Sequence, residues 1–331
     1  MWPSWREATE RALYGDDGFY RRTRPAAHYR TSVSTSNRFA EALCRLLEDL
    51  DDALGHPDVL HVVDIGSGTG QLLTDLDRVH PAGRLRLTAV ERGPRPDSLP
   101  AEITWTDRMP ETVSGLVIAN EWLDNVPVDV VELTVDGPRL VLVDPATGTE
   151  RTGGPPDPAD LAWLERWWPL AEIGDRAEIG RPRDEAWAGV VRRLARGLAV
   201  AVDYAHQRGS RPTGGTLTAY QDGRQVAAVP DGSCDITTHV ALDSCADAGL
   251  QAGATASRLT TQRHALRALG VLGRRPQMKM ASTNPTGYLR ELRRTGEEAE
   301  LIDPAGLGGF GWLVQTVGIY LPVAPAATME R

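Results

Sequence analysis

The sequence contains very little cysteine. Only Cys44, Cys234 and Cys245 occur among 331 residues, without a CxxC pair and without the His/Cys spacing of a metal site. Three cysteines cannot all pair, so a disulfide framework is disfavoured and a reducing compartment is the default. We therefore expect no metal centre and a cytoplasmic location.

The chain also lacks an excess of positive charge and any long apolar run. Its 36 basic residues are outnumbered by 45 acidic ones, which gives a formal net charge of −9. This balance disfavours a protein that follows nucleic-acid phosphates. No apolar stretch approaches the roughly 20 residues that cross a bilayer, and the first residues lack the pattern of a signal peptide. We expect neither a nucleic-acid partner nor membrane association.

Short apolar segments alternate with helical ones over much of the chain. Strands are predicted at 59–64, 85–90, 103–105, 113–119 and 197–203, and a hairpin at 128–135 and 139–143. Before them, helical periodicity marks residues 5–14 and a second stretch that starts near Ser34. Strands that alternate with helices are typical of a parallel sheet with helices on both faces. The predicted class is therefore α/β.

A glycine-rich loop follows the first predicted strand and precedes a helix. It reads Gly66-Ser67-Gly68-Thr69-Gly70 and comes directly after Asp64-Ile65. Glycines let the chain turn sharply and let a ligand approach the main-chain N–H groups. A dinucleotide fingerprint requires G-x-G-x-x-G, but Gln71 occupies its third glycine position. The pattern instead resembles motif I of class I S-adenosyl-L-methionine-dependent methyltransferases; a simple chain-reversing turn is the alternative.

Acidic residues follow the next two predicted strands. Glu91 lies about 20 residues beyond Gly70, where a carboxylate can accept hydrogen bonds from both ribose hydroxyls. Asp107 follows the third strand and is a candidate partner for the adenine amino group. The alternative for Glu91 is a solvated surface glutamate.

Polar residues also gather after the fourth predicted strand, at Asn120-Glu121-Trp122-Leu123-Asp124-Asn125. Ligands of open α/β sheets lie outside the carboxyl ends of the strands, so these side chains should face the reacting end of a cofactor. Glu121 and Asp124 share one side of a helical turn and could hold a guanidinium through bidentate hydrogen bonds. The alternative is that Asn120 or Asp124 only caps the following turn.

Taken in order, these blocks resemble the MidA family of methyltransferases, whose members include mitochondrial complex I assembly relatives that methylate a protein arginine. The match spans about residues 13–270. It is carried by 13–20 (LYGDDGFY), 29–32 (YRTS) with Phe39, 120–127 (NEWLDNVP), 202–204 (VDY), 215–217 (GTL), 231–240 (DGSCDITTHV), Gln262 and 266–270. The N-E-x-x-D and D-I-T-x-H-V blocks are the most specific.

Four residues, at three places in the chain, depart from the family pattern. Val33-Ser34 replaces the Pro-Glu that follows T-S, Ala205 replaces a glycine, and Asn125 replaces a small alanine. The missing glutamate is a candidate cofactor or substrate contact, so the family's acceptor does not carry over directly.

The resemblance implies a Rossmann-like class I methyltransferase that uses S-adenosyl-L-methionine. It predicts cofactor contacts at Thr31, Ser32, Asp64, Gly66, Ser67, Gly68, Gly70, Glu91, Asp107 and Asn120. The catalytic candidates are Glu121, Asn120, Asp124 and Asp203. Glu121 comes first, as the carboxylate that positions and partly deprotonates the acceptor. A protein or a cationic small molecule is the expected acceptor, and a homodimer is left open.

The predicted organisation has three parts. Residues 1–55 form a helical element that covers the cofactor, 56–146 and 197–331 form the catalytic core, and 147–196 form an inserted helical subdomain for substrate or partner. Two other readings remain, a non-catalytic assembly protein that keeps the fold and an NAD-dependent oxidoreductase.

Asp235 and Thr237 precede a predicted helix, which makes them candidate N-caps. His239 could act as a base near neutral pH or be a packed, hydrogen-bonded side chain. The tryptophans between 163 and 187 are interpreted as a small apolar core.

Overall fold

The computed structural model describes residues 2–22, 31–80 and 83–321. Tyr29 and Arg30 of the resemblance lie outside these ranges. The helices are α1 (Trp5–Tyr14), α2 (Phe19–Arg22), α3 (Ser32–Thr35), α4 (Arg38–Leu54), α5 (Gln71–Val79), α6 (Pro158–Trp167), α7 (Arg181–Arg193), α8 (Leu242–Gln251), α9 (Gln262–Ala268), α10 (Met278–Thr283) and α11 (Pro285–Leu301).

The strands are β1 (Leu60–Ile65), β2 (Leu85–Val90), β3 (Thr104–Thr106), β4 (Val113–Asn120), β5 (Val130–Thr134), β6 (Gly137–Val143), β7 (Glu150–Thr152), β8 (Arg176–Glu178), β9 (Leu194–Asp203), β10 (Ala205–His206), β11 (Thr218–Gln221), β12 (Arg224–Val226), β13 (Asp235–Thr237), β14 (Val240–Ala241), β15 (Ala256–Thr261) and β16 (Gly311–Val317). Short 3₁₀ turns cover Leu123–Asn125 and Leu307–Gly309.

A seven-stranded sheet forms the centre of the molecule, in the order β15-β16-β9-β4-β1-β2-β3. Strands β9, β4, β1, β2 and β3 run parallel, whereas β16 lies antiparallel between β9 and β15. Each of β4 and β9 is almost wholly buried along its apolar run, because helices cover both faces of a parallel sheet. The predicted α/β class is confirmed.

Alternate side chains of the central strands serve two cores. On one face, Leu116 and Val200 pack with the apolar sides of α4 and α5. On the other, Val117 and Ala199 pack with Trp187 of α7 and with α8.

Gln315 of β16 is buried on this second face, accepting a hydrogen bond from Trp187 Nε1 at 2.8 Å and donating to Ala246 O at 2.7 Å. These bonds fasten the antiparallel strand to both helices.

A second sheet of four strands, β7-β6-β5-β8, stands beside the first. The predicted hairpin is its centre, since β5 and β6 pair antiparallel. Residues 147–196 thus supply β7 and β8 as well as α6 and α7. Trp163 and Trp168 pack against the second sheet in a small core of their own, whereas Trp187 belongs to the central sheet.

The prediction of N-caps at Asp235 and Thr237 is wrong. Both residues belong to β13, which pairs with β11, and the helix that follows begins only at Leu242. The hydrogen-bonding capacity of Asp235 and Thr237 is used elsewhere, because Tyr20 donates to Asp235 and Thr237 donates to Asp124.

Within the described ranges no helix combines the length and the apolar character needed to cross a bilayer.

Gly115 and Gly197 face each other in β4 and β9, and both have positive φ. A Cβ on Gly197 would lie 1.9 Å from the carbonyl oxygen of Gly115. Gly197→Ala is therefore expected to lower the free energy of unfolding by about 2–5 kcal/mol, combining overpacking with backbone strain. Urea denaturation measures this.

The matched control is Gly154→Ala, at an exposed glycine whose added Cβ would meet nothing within 4 Å. Equal stability of the two variants would contradict the packing argument.

Candidate active site

A cleft of about 1760 Å³ opens at the carboxyl ends of the central strands. Nine predicted site residues line it: Thr31, Asp64, Gly66, Ser67, Gly68, Glu91, Asp107, Asn120 and Glu121. Four others lie behind its wall: Ser32, Gly70, Asp124 and Asp203. The parallel strands bring together side chains that are far apart in sequence, because their carboxyl ends share one edge.

The glycine loop between β1 and α5 has the geometry that only glycine adopts readily. Gly66, Gly68 and Gly70 have φ values of 70°, 57° and 73°. A Cβ on Gly66 would lie 2.8 Å from Trp122 Cδ1, and one on Gly70 would lie 2.4 Å from Leu99 Cδ1. Gly66 is thus required by packing against the Trp122 side chain as well as by φ, whereas at Gly70 the Leu99 methyl group can rotate away and φ is the constraint. Gly68 leaves its side of the loop open to a ligand.

Glu91 holds this loop from the end of β2. One carboxylate oxygen accepts the Gly68 N–H at 2.9 Å, and the other accepts the Gly93 N–H at 2.9 Å. Each oxygen keeps a second lone pair, so the carboxylate can still accept hydroxyl donors from a ligand in the cleft. Asp107 lies exposed where the chain leaves β3, at the rim of the same cleft.

Asp64 is buried at the end of β1, with 4% of its surface exposed. Ser67 Oγ donates to its carboxylate at 2.6 Å. Burial raises the pKa of Asp64 to about 7, since desolvation disfavours the ionised form. A cationic ligand in the cleft would stabilise that form and lower the pKa again.

Glu121 occupies a strained position after β4. Its φ is 53°, a left-handed conformation that costs a non-glycine residue about 1–2 kcal/mol. Its carboxylate Oε1 accepts hydrogen bonds from Asn120 Nδ2 and from the Ser32 N–H, both at 3.0 Å. Burial raises the pKa of Glu121 to about 7. Such strain persists where the surroundings fix the backbone, commonly at functional sites.

Two oxygen atoms beside the cleft are buried without a hydrogen-bond partner in the described part of the chain: Glu121 Oε2 and Asn120 Oδ1. Buried acceptors of this kind normally have a partner. Together with Asp64 they form a set of acceptors that fits a ligand with cationic and N–H donor groups. The open Gly68 side of the loop gives such a ligand access to the main chain.

Asp124 and Asp203 support the turn after β4 instead of lining the cleft. Asp203 Oδ2 accepts the N–H groups of Leu123 and Asp124, at 3.0 and 3.2 Å, and so caps the 3₁₀ turn. Asp124 accepts a hydrogen bond from Thr237 Oγ1 at 2.8 Å. Burial raises the pKa of both carboxyl groups. Asp203, not Asp124, therefore performs the capping considered from the sequence.

Ser32, the first residue of α3, joins this helix to the site. Its N–H reaches Glu121, and its hydroxyl donates to Gln262 Oε1 at 3.0 Å. Gln262 is fully buried and its Nε2 donates to Leu301 O. Because Ser32 contacts Glu121 through its main chain, this contact does not depend on the residue that follows, which is Val33 here.

Sequence reasoning missed three contributors to the site. Trp122 packs against Gly66, Tyr14 Oη donates to Asn125 O at 3.0 Å, and Arg183 inserts its guanidinium beneath the turn. Trp122 and Tyr14 lie inside the sequence blocks on which the resemblance rests. Those blocks gave a signal for the two positions but not for the roles of their side chains. Arg183 carried none, since it is one arginine among many in residues 147–196.

Comparisons with known proteins agree with this geometry. A family model described as "Putative S-adenosyl-L-methionine-dependent methyltransferase" matches residues 42–260. A crystal structure of a "COG1565 superfamily member and likely methyl transferase" from Burkholderia thailandensis, bound to S-adenosyl-homocysteine, is 26% identical with a TM-score of 0.79. The similarity covers 96% of this chain and 89% of that one.

A second structure from the same organism, a native crystal structure of an uncharacterized COG1565 superfamily protein, is 27% identical with a TM-score of 0.79. It covers 100% of this chain and 91% of that one. No curated protein matches the chain.

Glu91→Gln is expected to weaken the binding of S-adenosylhomocysteine about 10- to 100-fold, because charge-assisted hydrogen bonds to the loop and the ligand are lost. Isothermal titration calorimetry measures the dissociation constant. Glu102→Gln, at an exposed glutamate outside the cleft lining, serves as control. Identical dissociation constants for both variants would remove Glu91 from the cofactor site.

Proposed function

Because this chain belongs to the family of S-adenosyl-L-methionine-dependent methyltransferases, we propose that its acceptor is a cationic nitrogen group. The resemblance to the MidA family favours an arginine side chain of a protein. The observation that carries the proposal is Glu121, a strained residue whose Oε2 is buried at the cleft without a partner in the described residues.

The acidic set around the cleft supports a cationic acceptor. A guanidinium presents several N–H groups in one plane, which a carboxylate can accept side by side. Oε1 of Glu121 is already fixed by two donors, so Oε2 is the oxygen available to an incoming N–H. Asn120 Oδ1 offers a second acceptor nearby.

S-adenosyl-L-methionine, when bound, supplies an electrophilic methyl group on a positively charged sulfonium. The chain contributes the orientation of both partners and the exclusion of water, which account for much of the rate enhancement in such transfers. The glycine loop, Glu91 and Asp64 would hold the cofactor. Glu121 would orient the acceptor nitrogen and accept its proton, a task suited to a carboxylate with a pKa of about 7.

The alternative of a non-catalytic assembly protein rests on the departure at Val33-Ser34. The Ser32 N–H to Glu121 contact is present despite that departure, which favours catalysis. We also propose that the protein acts in the cytoplasm, the location that its low cysteine content leads us to expect.

Glu121→Gln tests the role of the carboxylate. The amide preserves the size of the side chain but cannot accept the proton, so transfer is expected to fall by about 10²–10⁴-fold. Affinity for S-adenosylhomocysteine should stay nearly unchanged. The measurement is incorporation of labelled methyl from S-adenosylmethionine into a cell lysate of the source organism, resolved by size.

Hydrolysis of the labelled protein band should release methylarginine. Label confined to small molecules or to another amino acid would contradict the arginine assignment. Transfer by Glu121→Gln at the unaltered rate would contradict the role of Glu121.

The pH dependence provides an independent test. Only the ionised Glu121 can accept a proton, so kcat/KM should rise about tenfold per pH unit below about pH 7 and level off above it. Ionisation of Asp64 should also raise kcat/KM with increasing pH, because the ionised carboxylate attracts a cationic cofactor more strongly. Calorimetric binding of S-adenosylmethionine at each pH separates the two contributions; a rate that is flat from pH 5.5 to 8 would contradict both.

A further inference from the structure

Arg183 lies beneath the turn formed by residues 121–126, here called the post-β4 turn. It belongs to α7, and only 2% of its surface is exposed. Its guanidinium donates to four oxygens, namely Val126 O at 3.1 Å, His239 O at 2.9 Å, Asp124 O at 2.5 Å and Thr238 Oγ1 at 2.7 Å. All four are neutral, so the buried cation serves to connect segments of main chain rather than to form a close ion pair.

The positive charge is compensated at longer range. Asp124, Asp203 and Glu178 attract the Arg183 cation. Asp124 belongs to the post-β4 turn, and Asp203 caps that turn. Removing the guanidinium would therefore leave carbonyl oxygens without donors and would take a compensating positive charge away from all three acidic groups.

The post-β4 turn is the segment that continues from the strained Glu121. The Glu121 N–H is bound to Val202 O at 2.8 Å on β9, which fixes the start of the segment. Asp203 caps its middle, and Arg183 binds the carbonyls of Asp124 and Val126 towards its end. A left-handed glutamate stays in place only when the surrounding structure fixes its backbone.

We propose that Arg183 is a positioning residue that holds the post-β4 turn in the conformation that presents Glu121 to the acceptor. The proposal rests on the proposed function of Glu121. It gives residues 147–196 a part in catalysis, because the arginine comes from the helix that ends this segment.

Lysine cannot replace Arg183 in this arrangement. Four acceptors lie around the guanidinium, and its five N–H groups in a rigid plane reach them in different directions. A lysine ammonium has three donors at one point. Arg183→Lys should therefore behave more like Arg183→Met than like the unaltered protein, even though it keeps the charge.

The experiment compares Arg183→Met with Arg192→Met, a control at an exposed arginine of the same helix. Labelled-methyl transfer into lysate is expected to fall about 10²-fold in Arg183→Met, the size of a small misplacement of a catalytic group. Its affinity for S-adenosylhomocysteine, measured by calorimetry, should remain close to that of the control. Unaltered transfer, or a loss of affinity as large as the loss of transfer, would overturn the positioning role.

A second measurement does not depend on activity. Trp122 lies in the post-β4 turn, so its 5-fluorotryptophan ¹⁹F resonance, assigned with Trp122→Phe, reports on the turn. The resonance should shift or split in Arg183→Met, whereas that of Trp312 in the other core should not. An unmoved Trp122 resonance would overturn the proposal. The ¹⁹F measurement tests whether Arg183 holds the turn even if Glu121→Gln proves active and the proposed function fails.

Thr238→Val replaces Arg183→Met in both measurements if Arg183→Met does not fold. It removes one acceptor of the guanidinium at nearly constant volume and leaves the cation in place. Transfer should fall by less than in Arg183→Met, with a smaller shift of Trp122 in the same direction. Full transfer together with an unmoved resonance would contradict the proposal.

Discussion

Acidic side chains withdrawn from water at the carboxyl ends of β1, β4 and β9 are the constraint on which the rest of the structure depends. Asp64, Asp124 and Asp203 are buried, and the carboxylate of Glu121 is shielded beside them. An isolated buried carboxylate carries a penalty of several kcal/mol. The chain offsets it with main-chain N–H groups, hydroxyl donors and the Arg183 guanidinium, and the part of the penalty that remains raises the pKa values of these carboxyl groups. The resulting site attracts positive charge.

The two parts of the molecule that look like additions in sequence are both built into this site. Ser32, ahead of α4, donates its N–H to Glu121. Helix α7, from residues 147–196, covers one face of the central sheet and inserts Arg183 beneath the turn. The parallel sheet provides the edge where ligands bind, but the conformation of the catalytic turn is determined by segments that lie far from it in sequence.

Local patterns predicted the features that depend on local physics. Apolar β-branched runs identified the strands and the glycine spacing identified the loop. The residue count from Gly70 selected Glu91 as a ribose partner; its carboxylate also accepts the Gly68 N–H, a contact that the count did not predict. The failures were non-local. Asp235–Thr237 is a strand only because β11 lies beside it. Likewise, residues 147–196 carry weak helical periodicity but also supply β7 and β8, whose partners β6 and β5 precede them. No spacing rule could distinguish Arg183 from other arginines, because its role comes from three carbonyl oxygens in two other segments, the post-β4 turn and the chain at His239.

The antiparallel strand β16 has a consequence for how the chain reaches its folded state. It lies between β9 and β15, and its Gln315 fastens both helices of that face. On the ribosome, residues 311–317 emerge after every other strand of the sheet. Until they arrive, the apolar edge of β9 has no neighbour on that side, and an open strand edge is a template for pairing between chains. The nascent chain thus carries an adhesive edge from the synthesis of β9 until β16 inserts, and chaperone demand should be concentrated in that interval.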